Sequence, residues 1–234
     1  MQHRSALKLA FSLRLPKNME QLRLSDWLGW RPGEHNASAH SRLLPYEKPG
    51  RSLPTMLRRR LDNAGRATCD ILAALDPMAR FPLVHASRHG DADHTLAMLK
   101  ALAGNELPSP TRFSMSVHNA TLGVHAIANQ HRRPLQAIGA GGNEFEALLW
   151  EAFGYLHAGH DAVVIVFSEG ELPDEYAPCT SHPGVACSVG LRLTLGNGLE
   201  ILSELHPQAP TSPTPLEVID WLIDATCHWA IEEA

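Results

Sequence analysis

The sequence predicts an α/β domain in which helices layer on one mixed β-sheet. Short apolar runs of strand length alternate along the chain with longer stretches of helical periodicity. Hydrophobic residues fill 44% of the 234 positions and charged residues only 19%, so a sizeable core can form without a disulfide or metal staple. Aromatics make up only 6%, which leaves that core mainly to Leu, Ala, Val and Ile. No internal repeat is present.

Residues 7–15 alternate apolar and polar side chains and predict a first strand. Residues 22–53 carry the breakers Pro32, Pro45, Pro49 and Gly50 and are expected to form a long covering loop with at most one short helix. Pro54 opens a helix whose apolar positions, Leu57, Leu61, Ala64, Cys69, Leu72 and Leu75, run to Asp76-Pro77. Residues 81–86 suit a buried strand. Asp93 is the expected cap of the next helix, which Gly104-Asn105 ends. Residues 111–129 predict one further helix. Residues 135–138 predict a short strand entering the turn Gly139-Ala140-Gly141-Gly142, and a long helix follows over about 144–158. Residues 162–167 have the strongest strand character. Residues 185–195 and 199–205 flank Gly196-Asn197-Gly198, which predicts a hairpin. Residues 207–215 read as a proline-rich linker and 216–233 as a final amphipathic helix. The expected division is a main unit of residues 1–206, with 207–234 a linker and helix packed on it.

Twenty Lys and Arg against 25 Asp and Glu give a net charge of −5, which argues against a general nucleic-acid binder. The low charge content suggests that a partner covers part of the surface. Arg58-Arg59-Arg60, followed by Arg66, suits a solvated face or an acidic partner better than a DNA groove. Cys69, Cys179, Cys187 and Cys227 contain no CxxC pair, and Cys179, His182 and Cys187 read as an ordinary loop rather than a zinc site. None of the 14 histidines stands in an HExxH motif, and neither His85/His89 nor His157/His160 reads as a helical metal pair. No metal and no cofactor are expected. No apolar run approaches the roughly 20 residues a bilayer needs. Lys8 and Arg14 interrupt the N-terminal stretch, so neither a membrane span nor a signal segment is expected, and the cytoplasm is the expected location.

The stretch with most chemical promise is strand, glycine turn and long helix over 135–158. Such a turn either admits close approach of a ligand or neighbouring chain, or makes room for packing. A nucleophile there would sit at the positive end of a helix, where a thiolate or oxyanion is stabilised. The turn lacks the GxGxxG spacing of a dinucleotide site and the GK[ST] ending of a P-loop.

LQAIGAGGNEFEALLWEAFGYLHAGHDAVVIV resembles the nucleophile region of β-ketoacyl synthases, members of the thiolase-like fold, and SPTRFSMSVHNATLGVHAIA is similar to the segment that precedes it there. ASRHGD, SVHNA and the glycine turn together look like the short chain-length-factor-like ketosynthase proteins of bacterial aryl-polyene clusters. The resemblance covers roughly residues 53–178 and implies a thiolase-like half-fold. In ketosynthases the turn ends in cysteine. The match puts Gly142 at that position, within one or two residues, and none of Gly141, Gly142, Asn143 or Glu144 can form an acyl thioester. The basic pair that drives decarboxylation comes from a second half of the fold, which this sequence is not expected to contain. The resemblance therefore implies a non-catalytic partner of a full-length ketosynthase that shapes the acyl tunnel, stabilises the active subunit and meets acyl carrier protein only indirectly. The strand before the nucleophile pairs across the dimer in that family, which would place Leu135, Ala137, Ile138, Gly139 and Ala140 at the partner interface.

Four polar residues are candidates for the tunnel or pocket. His118 and Asn119 would form a polar wall beside it, or else serve local capping with Ser116. Asn143 and Glu144 open the long helix, where the dipole favours a carboxylate, and Glu144 could close the pocket to an acyl chain. His89 with Arg88 would meet a phosphopantetheine or acidic carrier, or is an ordinary loop histidine. Two rival classes remain: an acyl-thioester hydrolase with His118 or Glu144 as base, and a carrier-binding module without catalysis.

Overall fold

The computed structural model describes residues 6–9, 21–32, 40–180, 182–196, 199–203 and 213–232. In chain order the elements are β1 (Ala6–Leu9), β2 (Arg23–Trp30), α1 (Thr55–Arg58), α2 (Asn63–Leu75), β3 (Leu83–Ala86), α3 (Ala92–Ala103), α4 (Pro110–Met115), α5 (Ala120–Asn129), β4 (Leu135–Ile138), α6 (Glu144–His157), β5 (Val163–Glu169), β6 (Cys187–Thr194), β7 (Leu199–Ser203) and α7 (Pro215–Glu232). The strands form one mixed sheet in the order β1-β7-β2-β6-β5-β3-β4. β3 pairs parallel with both β4 and β5, whereas β6 runs antiparallel to β5 and to β2.

Helices cover both faces, as the alternation of β5 requires. Val163, Ile165 and Phe167 turn to one face, where Phe145, Leu148, Leu149 and Ala152 of α6 and Val218, Ile219 and Leu222 of α7 complete the core. Val164 and Val166 turn to the other, against Ala67, Ile71, Leu72 and Leu75 of α2. A strand buried on both sides reads as an unbroken apolar run, which is why this one was so legible. On β6, Gly190 lets α2 come close: a Cβ there would stand 2.3 Å from Ile71 Cγ2.

Several expectations need correction. The covering loop expected over 22–53 contains β2, which lies between β7 and β6 in the sheet. A register shift between Leu24 and Asp26 breaks its alternation, so the buried positions Leu24 and Trp27 stand three apart and the two-residue period is lost. The hairpin expected around Gly196 does not form. β6 and β7 flank β2 and both run antiparallel to it, so they cannot pair with one another. The helix expected from Pro54 to Leu75 is two, because Asp62 accepts a hydrogen bond from Gly65 N (2.7 Å) and starts α2 anew. The single helix expected over 111–129 is also two. Ser116 ends α4, its hydroxyl donating to the Phe113 carbonyl (2.9 Å), and it caps nothing that follows. Asp91, not Asp93, caps α3, accepting from His94 N (2.9 Å). The first strand is described only over 6–9; residues 10–15 and the linker over 207–212 lie outside the described residues. No described helix is long and apolar enough to cross a membrane.

Candidate functional site

β3, β4 and β5 run parallel, so their C-terminal ends share one rim of the sheet, and the glycine turn lies there between β4 and α6. Gly141 (φ +59°) and Gly142 (φ +115°) have left-handed backbone, which lets four residues reverse the chain into the helix. Glu144 fills the inside of this turn. Its side chain is buried, and one carboxylate oxygen accepts from Ala140 N (3.1 Å) and Gly142 N (3.0 Å). The other accepts from Arg88 Nε and Nη2 (both 3.3 Å), while Nη2 also donates to the Gly142 carbonyl (3.1 Å). Burial pushes the Glu144 pKa up, but the N–H groups of Gly142, Glu144 and Ala140, together with Arg88, outweigh it and hold the carboxyl below its ordinary value.

Arg88 is fixed from the β5 side. The buried Glu169 accepts from Arg88 N (2.5 Å), His89 N (3.4 Å) and the Ser87 hydroxyl (3.2 Å). Burial raises the Glu169 pKa despite these donors. Two carboxylates thus tie the ends of three strands together. Arg88, which with His89 would meet a phosphopantetheine or carrier or else stand in an ordinary loop, binds Glu144; the His89 ring stands 5.9 Å from that of His182.

The break between α4 and α5 returns His118 to the same rim. A Cβ at Gly90 or at Gly139 would lie 3.4 Å from its ring, so both glycines leave room for the imidazole. His118 is otherwise exposed, as are Asn119 and Asn143. Neither Asn119 nor Asn143 makes a side-chain capping bond at the start of its helix. His118 therefore packs at the beginning of the turn and Glu144 within it. Among the described residues no three His, Cys, Asp or Glu come together as metal ligands.

Residues 27–233 match the family model described as "Beta-ketoacyl synthase, N-terminal domain". The chain belongs to this β-ketoacyl synthase family. A solved structure described as a ketosynthase (ApeO) in complex with its chain length factor (ApeC), from Xenorhabdus doucetiae, is 31% identical, with TM-score 0.65, over 76% of this chain and 80% of the matched one. A β-ketoacyl synthase from Burkholderia phymatum STM815 (10% identity, TM-score 0.50) covers 60% of this chain and 44% of its own. The ishigamide ketosynthase/chain length factor (15%, TM-score 0.50) covers 64% and 48%. The last two share the fold, which is thiolase-like. No curated protein sequence matches the chain.

Within this ketosynthase-family domain, the strand–turn–helix unit stands where the sequence placed it, but the turn offers no thiol or hydroxyl over residues 139–144. Its two N–H donors could stabilise an oxyanion only if Glu144 withdrew. One polar pairing was missed. His85 Nε2 lies 2.8 Å from Ser168 Oγ beneath His118, and its Nδ1 is buried without a hydrogen-bond partner. Burial pushes its pKa down to about 4, so the ring is neutral at pH 7. The cavity beside it, about 30 Å³, is also lined by Ser87, Asp91 and Thr121 and has room for water only. His85 lies in an apolar run and Ser168 at the end of another; only the parallel register of β3 and β5 pairs them, and no local pattern carries that information.

Proposed function

We propose that this chain is a chain-length-factor-like, non-catalytic subunit that assembles with a full-length ketosynthase in aryl-polyene or fatty-acid-type polyketide synthesis. The observation that carries the reading is the turn itself: residues 139–144 offer no thiol or hydroxyl, and a buried carboxylate occupies the N–H groups of Ala140 and Gly142. The similarity to a ketosynthase–chain length factor complex supports it further, since the matched chain is nearly as long as this one. The other two matches are to longer chains, of which this one spans about half.

β4 is the proposed interface. It is the last strand of the described sheet, with β3 on one side only, and Leu135 is 38% exposed on it. An unpaired strand edge is a template for pairing with another chain. Phe113 and Ile127, on the adjacent α4 and α5, expose 66% and 68% of their surface. Pairing through β4 would cover Ala137, Ile138, Gly139 and Ala140, bring His118 and Asn119 beside the partner's acyl tunnel, and leave Asn143 and Glu144 to shape its wall. Acyl carrier protein would then act through the ketosynthase.

The test is co-expression with an ApeO-type ketosynthase. A complex that co-elutes in size exclusion and extends acyl chains, while this chain alone forms no β-keto product by mass spectrometry, is the expected result. Condensation by the isolated chain would overturn the non-catalytic reading. Thioester hydrolysis by it, lost in Glu144→Gln, would favour an independent enzyme.

A further inference from the structure

Trp27, Trp30 and Trp221 are buried, but Trp150, on α6, leaves 42% of its surface exposed. It belongs to a stripe. Glu146, Trp150, Phe153 and His157 follow one another at steps of four, three and four residues, the spacing of a coiled-coil seam. The seam is separate from Phe145, Leu148, Leu149, Ala152 and Leu156, which α6 turns to the sheet. Its four side chains touch along the helix. Trp150 Nε1 donates to Glu146 (3.4 Å), the Trp150 and Phe153 rings meet edge-on with centres 6.4 Å apart, and those of Phe153 and His157 lie 4.1 Å apart. Beside them Gly154 is open, since a Cβ there would meet nothing within 4 Å. Tyr155, on the far side of α6, donates to Gln136 of β4 (3.3 Å), so the seam faces away from the β4 edge.

We propose that this seam pairs with itself in a second copy of the chain, the two α6 helices running antiparallel about a two-fold axis between Glu151 and Ala152. The stripe is self-complementary about that point. Trp150 falls opposite Phe153 of the second copy, and Glu146 falls opposite its His157. Each ring then meets a ring, and each carboxylate meets an imidazole that can donate to it. A parallel pairing would instead set Glu146 against Glu146. Every contact occurs twice, as an isologous interface requires. Rings already held by their neighbours lose little freedom on association, and Gly154 lets the second helix come close. Because α6 is only about 21 Å long, the contact falls below the roughly 1,200 Å² of a standard interface and the dimer is a weak one. The seam and the β4 edge lie on opposite sides of α6, so both contacts can be made at once and the inference does not depend on the assembly proposed above.

The test is sedimentation equilibrium of the full chain from about 10 to 500 µM, the range a contact of this size calls for. Expected is a reversible monomer–dimer equilibrium whose Kd rises about tenfold or more in Trp150→Ser. Glu146→Lys and His157→Glu should each weaken it several-fold. The double variant Glu146→Lys/His157→Glu should recover most of that loss, which a merely structural effect would not do. Ile138→Asp should leave the dimer unchanged. If Trp150→Ser fails to fold by circular dichroism, mild oxidation of Glu146→Cys/His157→Cys decides instead. Positions 146 and 157 stand about 16 Å apart along one helix, beyond the reach of a disulfide, so the 146–157 link expected in peptide mass spectrometry joins two chains. A monomer at every concentration, a dimer lost in Ile138→Asp, or oxidation that gives a 146–146 link or none would each overturn the proposal. So would loss of ketosynthase co-elution in Trp150→Ser, which would give the seam to that subunit.

Discussion

Replacing Glu144 with Gln keeps the side chain's shape but exchanges one acceptor oxygen for a donor. Either Arg88 or the pair of turn N–H groups then faces a donor, and Arg88 loses its counter-charge. Leaving one partner of such a network unpaired costs about 2–4 kcal/mol. The urea midpoint of Glu144→Gln should fall accordingly, while the exposed Glu106→Gln stays within about 0.5 kcal/mol of the parent. An unchanged midpoint would mean the closed turn adds nothing to stability. Because the folded state holds the Glu144 pKa down, its contribution is full above the ordinary glutamate pKa and is lost as pH falls through the folded value. Gly142→Cys would restore a thiol but not a site. At φ +115° any side chain is strained by about 1–3 kcal/mol, and its Cβ would lie 3.4 Å from Arg88 Nη2. The variant should unfold earlier and, even if alkylated by iodoacetamide, form no condensation product.

Among the elements, β4 invites the most direct perturbation. Ile138→Asp places a charge at the proposed contact and should weaken ketosynthase assembly by several kcal/mol, measured as loss of co-elution; an intact complex would move the interface elsewhere. A second change tests the opposite side of the sheet. Gly190→Ala puts a methyl group into Ile71 and should destabilise the fold by about 1–3 kcal/mol through overpacking. The helices α6 and α7 were legible because each keeps one helical period long enough to count, and β5 because burial on both faces leaves an unbroken apolar run. Where a side chain interrupts the period, legibility ends. The shift after Leu24 hid β2, and Asp62 and Ser116 each ended what looked like one continuous helix. At the site, Glu144 was legible as a helix-opening carboxylate, but its partner Arg88 lies 56 residues away, and only the parallel pairing of β3 with β4 brings them together.

For the molecule as a whole, two buried histidines govern its response to acid. His85 and His125 are both pushed down to about 4, chiefly by burial. A folded state that resists protonation is fully favoured above the unfolded pKa of 6.5 and loses that advantage as pH falls toward 4, by up to about 3 kcal/mol for each ring. Glu169 and Asp62 act in the opposite sense, since burial raises their pKa values and their contributions decline as pH rises. The histidine contribution predicts a melting temperature that drops between pH 6.5 and pH 4. His85→Asn should flatten the slope; an unaltered slope would locate the titration elsewhere. Assembly with a ketosynthase, if it forms as proposed, should bury an obligate-sized area of about 2,000 Å² or more.

The place of β2 between β6 and β7 also has a bearing on how the chain is made. During synthesis Arg23–Trp30 leaves the ribosome long before Cys187–Thr194, its antiparallel neighbour. At about 5–20 residues per second, the delay is roughly 10–30 s. Throughout that interval Leu24, Trp27 and Trp30 have no sheet to join, so they are ready substrates for chaperones or for aggregation. Slower translation of the stretch before β6 would lengthen the exposure, and yield on expression should respond to it more strongly than the equilibrium stability of the finished domain would suggest.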